Sequence, residues 1–479
     1  MNTKTILLTG LALSIGLGSY FINDARSESY ERGSSEHKPS IALVDDNTPL
    51  PTIQDGSVAL SAAFENPFLL QDEQSEYVHL LVTAQGGISD SNTPRTPLNI
   101  AVVLDRSGSM SSENKLEYAK SACQLVLDNL SSTDRIGLVA YDDAVNLIQP
   151  SGPMQSREYL KSKVASLQPG GSTNLSGGML EGYAQVNRSL GEQSINRVLL
   201  LSDGLANQGI TDLAQLQRIV EEKFSQRGMA ISTFGVGADY NEDLMTNLAE
   251  YGRGNYHFIE SADQIPGIFA DELEGLLNVV AQNTTLQIQF PSTDFTVDKV
   301  YGYPSEVNGD VLSINYNDVI AEEEKTVLVR FKRKRALTQA PSFSVSLSYD
   351  DVNENYKRIG SEMNLALELT SDKELYASKA NDEVARNIVL FESLDRFEMA
   401  AKEVDKGNYE EAKRMIRENE EYMDREFTKV APDSAMQKQY EVNKSYRKDI
   451  DDIESKSQYE VKMMQKSNKS SNYMMRKKK

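Results

Sequence analysis

Between residues 97 and 281 short apolar runs alternate with amphipathic segments, the pattern of a parallel sheet wrapped by helices. Strands are expected at residues 99–104, 135–141, 144–149, 197–201, 230–236 and 255–259. Helices are expected at 114–130, 156–167, 175–190, 212–226, 242–251 and 263–280. The first helix sets Leu116, Ala119, Cys123, Leu127 and Leu130 on one face. The expected fold class is α/β, a doubly wound, Rossmann-like domain over residues 97–281. In such domains ligands sit beyond the carboxyl ends of the strands.

On both sides of this region the apolar period changes to two. Leu286, Ile288 and Phe290 alternate with polar residues, as do Val327, Val329 and Phe331, and then Phe343, Val345, Leu347 and Tyr349. Val78, Leu80 and Val82 do the same before the α/β region. Residues 57–96 and 282–370 are therefore expected to share one antiparallel β-sandwich, with the α/β domain inserted in it. Asn308-Gly309 reads as a two-residue hairpin turn. Residues 371–432 are charged and helical, with Val384, Ile388, Phe391 and Leu394 on one face. They read as a helical hairpin turning at Gly407-Asn408 and docked on the sandwich. Residues 433–479 are polar, end in Arg476-Lys477-Lys478-Lys479, and are expected to form a disordered tail.

At the other end Lys4 precedes an uncharged apolar run from Ile6 to Ile22. Residues 1–23 read as a secretory signal or N-terminal membrane anchor, and 24–56 as a flexible linker. The expected location is outside the cytoplasmic membrane, in the periplasm or at the cell surface. No internal run is long and apolar enough to span a bilayer.

Composition narrows the function classes. A chain of 479 residues exceeds one ordinary hydrophobic core. A net charge of -21 repels nucleic-acid phosphates, which excludes nucleic acid as the expected partner. Cys123 is the only cysteine, so no intramolecular disulfide forms, and its place in a helical apolar pattern marks a buried thiol. His37, His79 and His257 lie in unrelated segments and supply no base for a hydrolytic triad.

Candidate chemistry concentrates at three loops. Asp105-Arg106-Ser107-Gly108-Ser109 directly follows the first α/β strand. Thr173 sits in the loop Gly170-Gly171-Ser172-Thr173-Asn174 before a helix, and Asp203 follows the strand at 197–201. Taken alone, Asp-x-Ser-x-Ser is equally a helix cap. Arg106 reads as an exposed, solvated arginine. Asp142 and Asp143 read as turn residues rather than ligands.

Together the three pieces resemble the complete metal-ion-dependent adhesion site of von Willebrand factor A domains, in bacterial exported proteins that carry such a domain beside a β-sandwich. The resemblance implies that Asp105, Ser107, Ser109, Thr173 and Asp203 hold a cation, Mg²⁺ first, with Mn²⁺ or Ca²⁺ as alternatives. Ser107, Ser109 and Thr173 would touch the metal or its waters; Asp105 and Asp203 would act directly or through water. Mg²⁺ is hard, octahedral and oxygen-seeking, and neutral hydroxyls leave it electrophilic enough to take a carboxylate from a partner. The implied function is a non-enzymatic, metal-dependent protein-protein interaction module of the cell envelope. The alternatives are a metal-dependent hydrolase, for which no Gly-x-Ser-x-Gly elbow or Walker loop is present, and a structural envelope component with a vestigial metal site.

Overall fold

The computed structural model describes residues 50–71, 77–88, 95–154, 156–191 and 193–477. The apolar run at 6–22, most of the expected linker and His37 lie outside the described residues. The chain enters through strands β1 (Thr52–Asp55), β2 (Val58–Phe64), β3 (Phe68–Leu70) and β4 (Tyr77–Gly86). It then runs through β5 (Leu98–Asp105), α1 (Lys115–Asn129), β6 (Arg135–Tyr141), β7 (Val145–Pro153), α2 (Arg157–Ala165) and α3 (Leu175–Arg188). Next come β8 (Ile195–Ser202), α4 (Leu213–Arg227), β9 (Ala230–Val236), α5 (Glu242–Tyr251), β10 (Arg253–Ile259) and α6 (Ile265–Leu277).

Six of these strands form one sheet in the order β10-β9-β8-β5-β6-β7. All neighbours are parallel except the edge strand β7. Every residue of β5, β8 and β9 is buried, because helices cover both faces. Alternation along β5 splits the core. Ile100, Val102 and Leu104 meet α1 and α6 through Leu116, Cys123, Leu127 and Phe269. Ala101 and Val103 meet α3, α4 and α5 through Met179, Leu216 and Leu248. Burial pushes the Cys123 thiol up to about 12. The architecture is the doubly wound α/β fold, with its last helix shorter than expected. After Leu277, Asn278 interrupts the helix and the β-branched pair Val279-Val280 opens the next strand.

That strand is β11 (Val279–Gln289), followed by β12 (Phe295–Tyr301), β13 (Ser305–Asn308), β14 (Val311–Asn315), β15 (Val319–Ile320), β16 (Glu324–Arg333), β17 (Ser342–Asp351), β18 (Lys357–Ala366) and β19 (Glu368–Thr370). One sheet has the order β1-β2-β4-β16-β12, the other β13-β14-β11-β17-β18. Leu80 pairs with Val329 and Val82 with Val327, so strands from both sides of the α/β domain share a sheet and the domain is an insertion. The two sheets close on Leu60, Leu80, Val82, Leu286, Ile288, Val329, Phe331, Val345 and Leu347.

Two local expectations need correction. Residues 52–55, assigned to the linker, form β1, an edge strand that hydrogen-bonds β2 while only Ile53 turns toward the core. The hairpin turn is Gly309-Asp310, since Asn308 is itself paired with Val311; Gly309 supplies the positive φ of 65°.

The C-terminal region contains α7 (Lys373–Ser378), α8 (Asp382–Asp405), α9 (Tyr409–Glu426), α10 (Ser434–Asp451) and α11 (Gln458–Lys477). Leu390, Phe391 and Leu394 of α8 pack on Leu81 and Leu328, on the outer face of the sandwich. The expected disordered tail at 433–479 is instead α10 and α11 through Lys477. The buried stripe of α10 is spaced as a helix but is interrupted by amides: Met436, Gln439, Asn443, Tyr446 and Ile450. Asn443 Oδ1 accepts from Asn419 Nδ2 at 3.1 Å inside the bundle. Helix α11 lies against the α/β domain, with Lys466 Nζ donating to Tyr240 O at 2.9 Å and Tyr473 edge-on to Tyr256.

Candidate metal centre

Register alone assembles the first part of the site. Leu104 is aligned with Leu201 of β8, and Asp105 with Tyr141 of β6, so Asp105 ends β5 between Ser202 and Tyr141. Ser202 Oγ donates to Asp105 Oδ2 at 2.6 Å and the Tyr141 hydroxyl does so at 3.4 Å. Asp105 Oδ1 accepts from Ser107 N at 2.8 Å, which folds the loop back over the strand end. Asp105 is fully buried. Burial raises its carboxyl to about 6, against the lowering effect of the Ser107 and Ser202 hydrogen bonds; the nearby Asp203 adds to the rise.

The second loop is tied to the first by backbone. Gly108 N donates to Gly171 O and Gly170 N to Arg106 O. Gly171 sits at φ 71°, and a Cβ there would stand 2.0 Å from Asp143 Oδ1, so no larger residue fits. Asn174 caps α3 by accepting from Gly177 N. Thr173, the residue before it, is clamped to the loop after β8. Its N–H donates to Asn207 Oδ1 at 3.0 Å, and Asn207 N donates to Thr173 O at 3.2 Å.

The third loop brings Asp203, 1% exposed. Its Oδ1 accepts from Ser109 Oγ at 2.7 Å, and Ser109 Oγ is 3.1 Å from Ser107 Oγ. A Cβ built on Gly204 would lie 3.2 Å from Thr173 Oγ1 and 3.6 Å from Ser109 Oγ, which puts those two hydroxyls around one point. All five residues singled out in the sequence meet at the carboxyl edge of β5 and β8. Among the described residues the Thr173 hydroxyl has no hydrogen bond to another protein group.

Three further residues escaped the sequence reading. Ser202 and Tyr141 hold Asp105, and Lys115 Nζ lies 2.9 Å from Asp203 Oδ2 with its side chain 11% exposed. A lysine at the start of an amphipathic helix reads as a solvated charge, and only the fold turns it inward. Arg106 also differs from expectation: it is half-buried, pairs with Asp142 Oδ2 at 2.6 Å and donates to Gln168 O. Asp142 also accepts from Ala144 N, which fixes the β6–β7 turn.

The donor set is oxygen only: three hydroxyls and two carboxylates, without sulfur or imidazole. Such a set suits Mg²⁺, Mn²⁺ or Ca²⁺ over thiolate-seeking metals. The four buried donors, the exposed Ser109 that opens the site to solvent, and the Thr173 hydroxyl fit a small hard cation.

Residues 99–271 match the model of the von Willebrand factor type A domain. The chain is 32% identical over 206 residues to the uncharacterized protein YfbK of Escherichia coli (strain K12), which is 43% of this chain and 36% of the relative. The chain thus spans about a third of that curated relative's length. Among solved structures it resembles a von Willebrand factor type A protein from Catenulispora acidiphila, with a TM-score of 0.64 and 14% identity over 82% of this chain and 92% of the other. It also resembles the ArnB paralog VWA2 from Sulfolobus acidocaldarius, with a TM-score of 0.58 and 19% identity over 87% and 98%. At these identities the two structures share the fold with this chain.

Proposed function

We propose that Asp105, Ser107, Ser109, Thr173 and Asp203 hold a divalent cation, Mg²⁺ first, and that the cation binds a carboxylate presented by a partner protein. The observation that carries this reading is the convergence of three hydroxyls and two buried carboxylates from three loops at the carboxyl edge of the sheet. The cation would supply an electrophilic point for an anionic ligand. The chain's own groups orient it: Ser202 and Tyr141 fix Asp105, Ser109 fixes Asp203, and Asn207 fixes Thr173. The role is interaction rather than catalysis. We place the protein outside the cytoplasmic membrane on the strength of the apolar run at 6–22.

Calorimetric titration of the full chain with Mg²⁺ tests the reading. Binding is expected in the wild type and not in Asp105→Ala or Ser107→Ala, with circular dichroism unchanged. Absence of Mg²⁺ binding by folded wild type overturns it. The Lys115–Asp203 pair supports a second reading, in which an internal cation replaces the metal and the site is structural; the same null titration would favour it.

A further inference from the structure

Lys115 is the one buried cation that touches the proposed metal centre among the described residues. Its Nζ is 2.9 Å from Asp203 Oδ2, while Oδ1 of the same carboxylate accepts from Ser109 Oγ. The other polar edge of Lys115 faces the end of β9, where a Cβ on Gly237 would lie 3.7 Å from Nζ. The backbone is bent to bring it there. Glu113 and Asn114 sit at φ 53° and 55° immediately before it; asparagine tolerates this left-handed region, whereas glutamate is strained there. Such strain persists only where the surroundings fix it, and it gathers at sites with a task.

We infer that Lys115 is a built-in counter-charge that sets how much positive charge a bound cation keeps. This rests on the metal-binding reading above. With Asp105 and Asp203 ionised and Lys115 protonated, the site carries one net negative charge, and a divalent cation leaves it at plus one. Without the lysine the same cation would leave it neutral. Lys115 therefore weakens cation binding and strengthens capture of an anionic ligand, two effects of opposite sign from one side chain. A lysine that merely fills space or neutralises a buried carboxylate for folding moves neither affinity in that coupled way. Lys115 acts through Asp203 and the site's field, as a positioning and charge-setting residue.

The test uses the full chain, Mg²⁺ as the metal probe and acetate as the anion probe. Mg²⁺ affinity is measured calorimetrically with and without acetate at constant ionic strength, in wild type, Lys115→Met and Lys115→Arg. In Lys115→Met, Mg²⁺ affinity alone should rise by about tenfold. The factor by which acetate tightens Mg²⁺ binding should fall toward one, and by linkage that factor is the coupling between the two ligands. Lys115→Arg should restore both toward wild type. Should Lys115→Met not yield folded protein, Lys115→Gln carries the same expectations. Unchanged or weaker Mg²⁺ binding by a folded, uncharged variant overturns the inference and leaves the metal centre standing. Absence of Mg²⁺ binding by wild type removes the metal centre itself.

Discussion

At the level of single residues the site divides into groups that face the proposed cation and groups that hold them. Thr173 belongs to the first kind, and its hydroxyl has no hydrogen bond to another protein group among the described residues. Thr173→Val should therefore leave the metal-free melting temperature within a few degrees of wild type, about 1 kcal/mol or less. The same change should weaken Mg²⁺ binding by at least about tenfold, roughly the value of one good ligand contact, and paired calorimetry and thermal melts check both. Asp105, Ser107, Ser109, Thr173 and Asp203 were visible in the sequence as oxygen donors in three loops that together resemble a metal-ion-dependent adhesion site; four of them end or follow buried strands and Thr173 lies in the Gly-rich loop before α3. Lys115, Ser202 and Tyr141 were not visible. Each looks ordinary in its own element; the register of β5 against β6 and β8 gives Ser202 and Tyr141 their partner, and the way the chain enters α1 brings Lys115 to Asp203.

Among the elements, α3 shows how closely a helix must approach the sheet to deliver Thr173. A Cβ at Gly182 would lie 2.6 Å from Val103 Cγ2 and 3.0 Å from Val198 Cγ1, and one at Gly178 would lie 2.5 Å from the Tyr141 ring. These glycines, a turn apart, are the face on which α3 rests. Gly182→Ala should cost about 1–3 kcal/mol through overpacking, despite the better helix propensity of alanine, read as a lower urea midpoint. Hydrophobic period located the strands and helices of the α/β domain, but in the sandwich only β4, β11, β16 and β17, with the β13–β14 hairpin marked by its turn. It missed α10 and α11 because their buried faces include Gln439, Asn443, Gln465 and Lys466; Asn443 accepts from Asn419, and Gln465 and Lys466 donate to backbone carbonyls. A stripe of amides has helical spacing without hydrophobicity.

Across the whole molecule, a buried polar network joins the α/β domain to the sandwich. Arg197 of β8 pairs with Asp318 at 2.5 Å and with Ser232, and Gln282 of β11 reaches the other Asp318 oxygen. Asp318→Ala leaves the arginine, 2% exposed, without its carboxylate and should cost about 3–5 kcal/mol, measured by chemical unfolding. In the same network burial pushes the Glu272 carboxyl up, but the hydrogen bond and charge of His257, with Arg197 and Ser232, more than offset it and hold it well below the usual range. A depressed carboxylate stabilises the fold in full above its ordinary value of 4.5, and that contribution drains away as pH falls beneath it. Melting temperatures between pH 7 and 3 should therefore fall less steeply for Glu272→Gln than for wild type. The insertion was legible from matching alternation at residues 78–82 and 327–331, whereas the network was not, since its members are scattered over four strands, a helix and the loop before β15.

The pairing of β4 with β16 has a cost in time. Gln85 waits for Glu324, so during synthesis one edge of β4 stays open while more than two hundred further residues emerge. At ordinary elongation rates that interval is roughly ten to fifty seconds. The nascent sandwich half is a sticky ribbon for that whole period, while the inserted α/β domain already has all its own strands. Folding of this chain should thus proceed from the middle outward, and a holdase that shields one short ribbon would govern its yield.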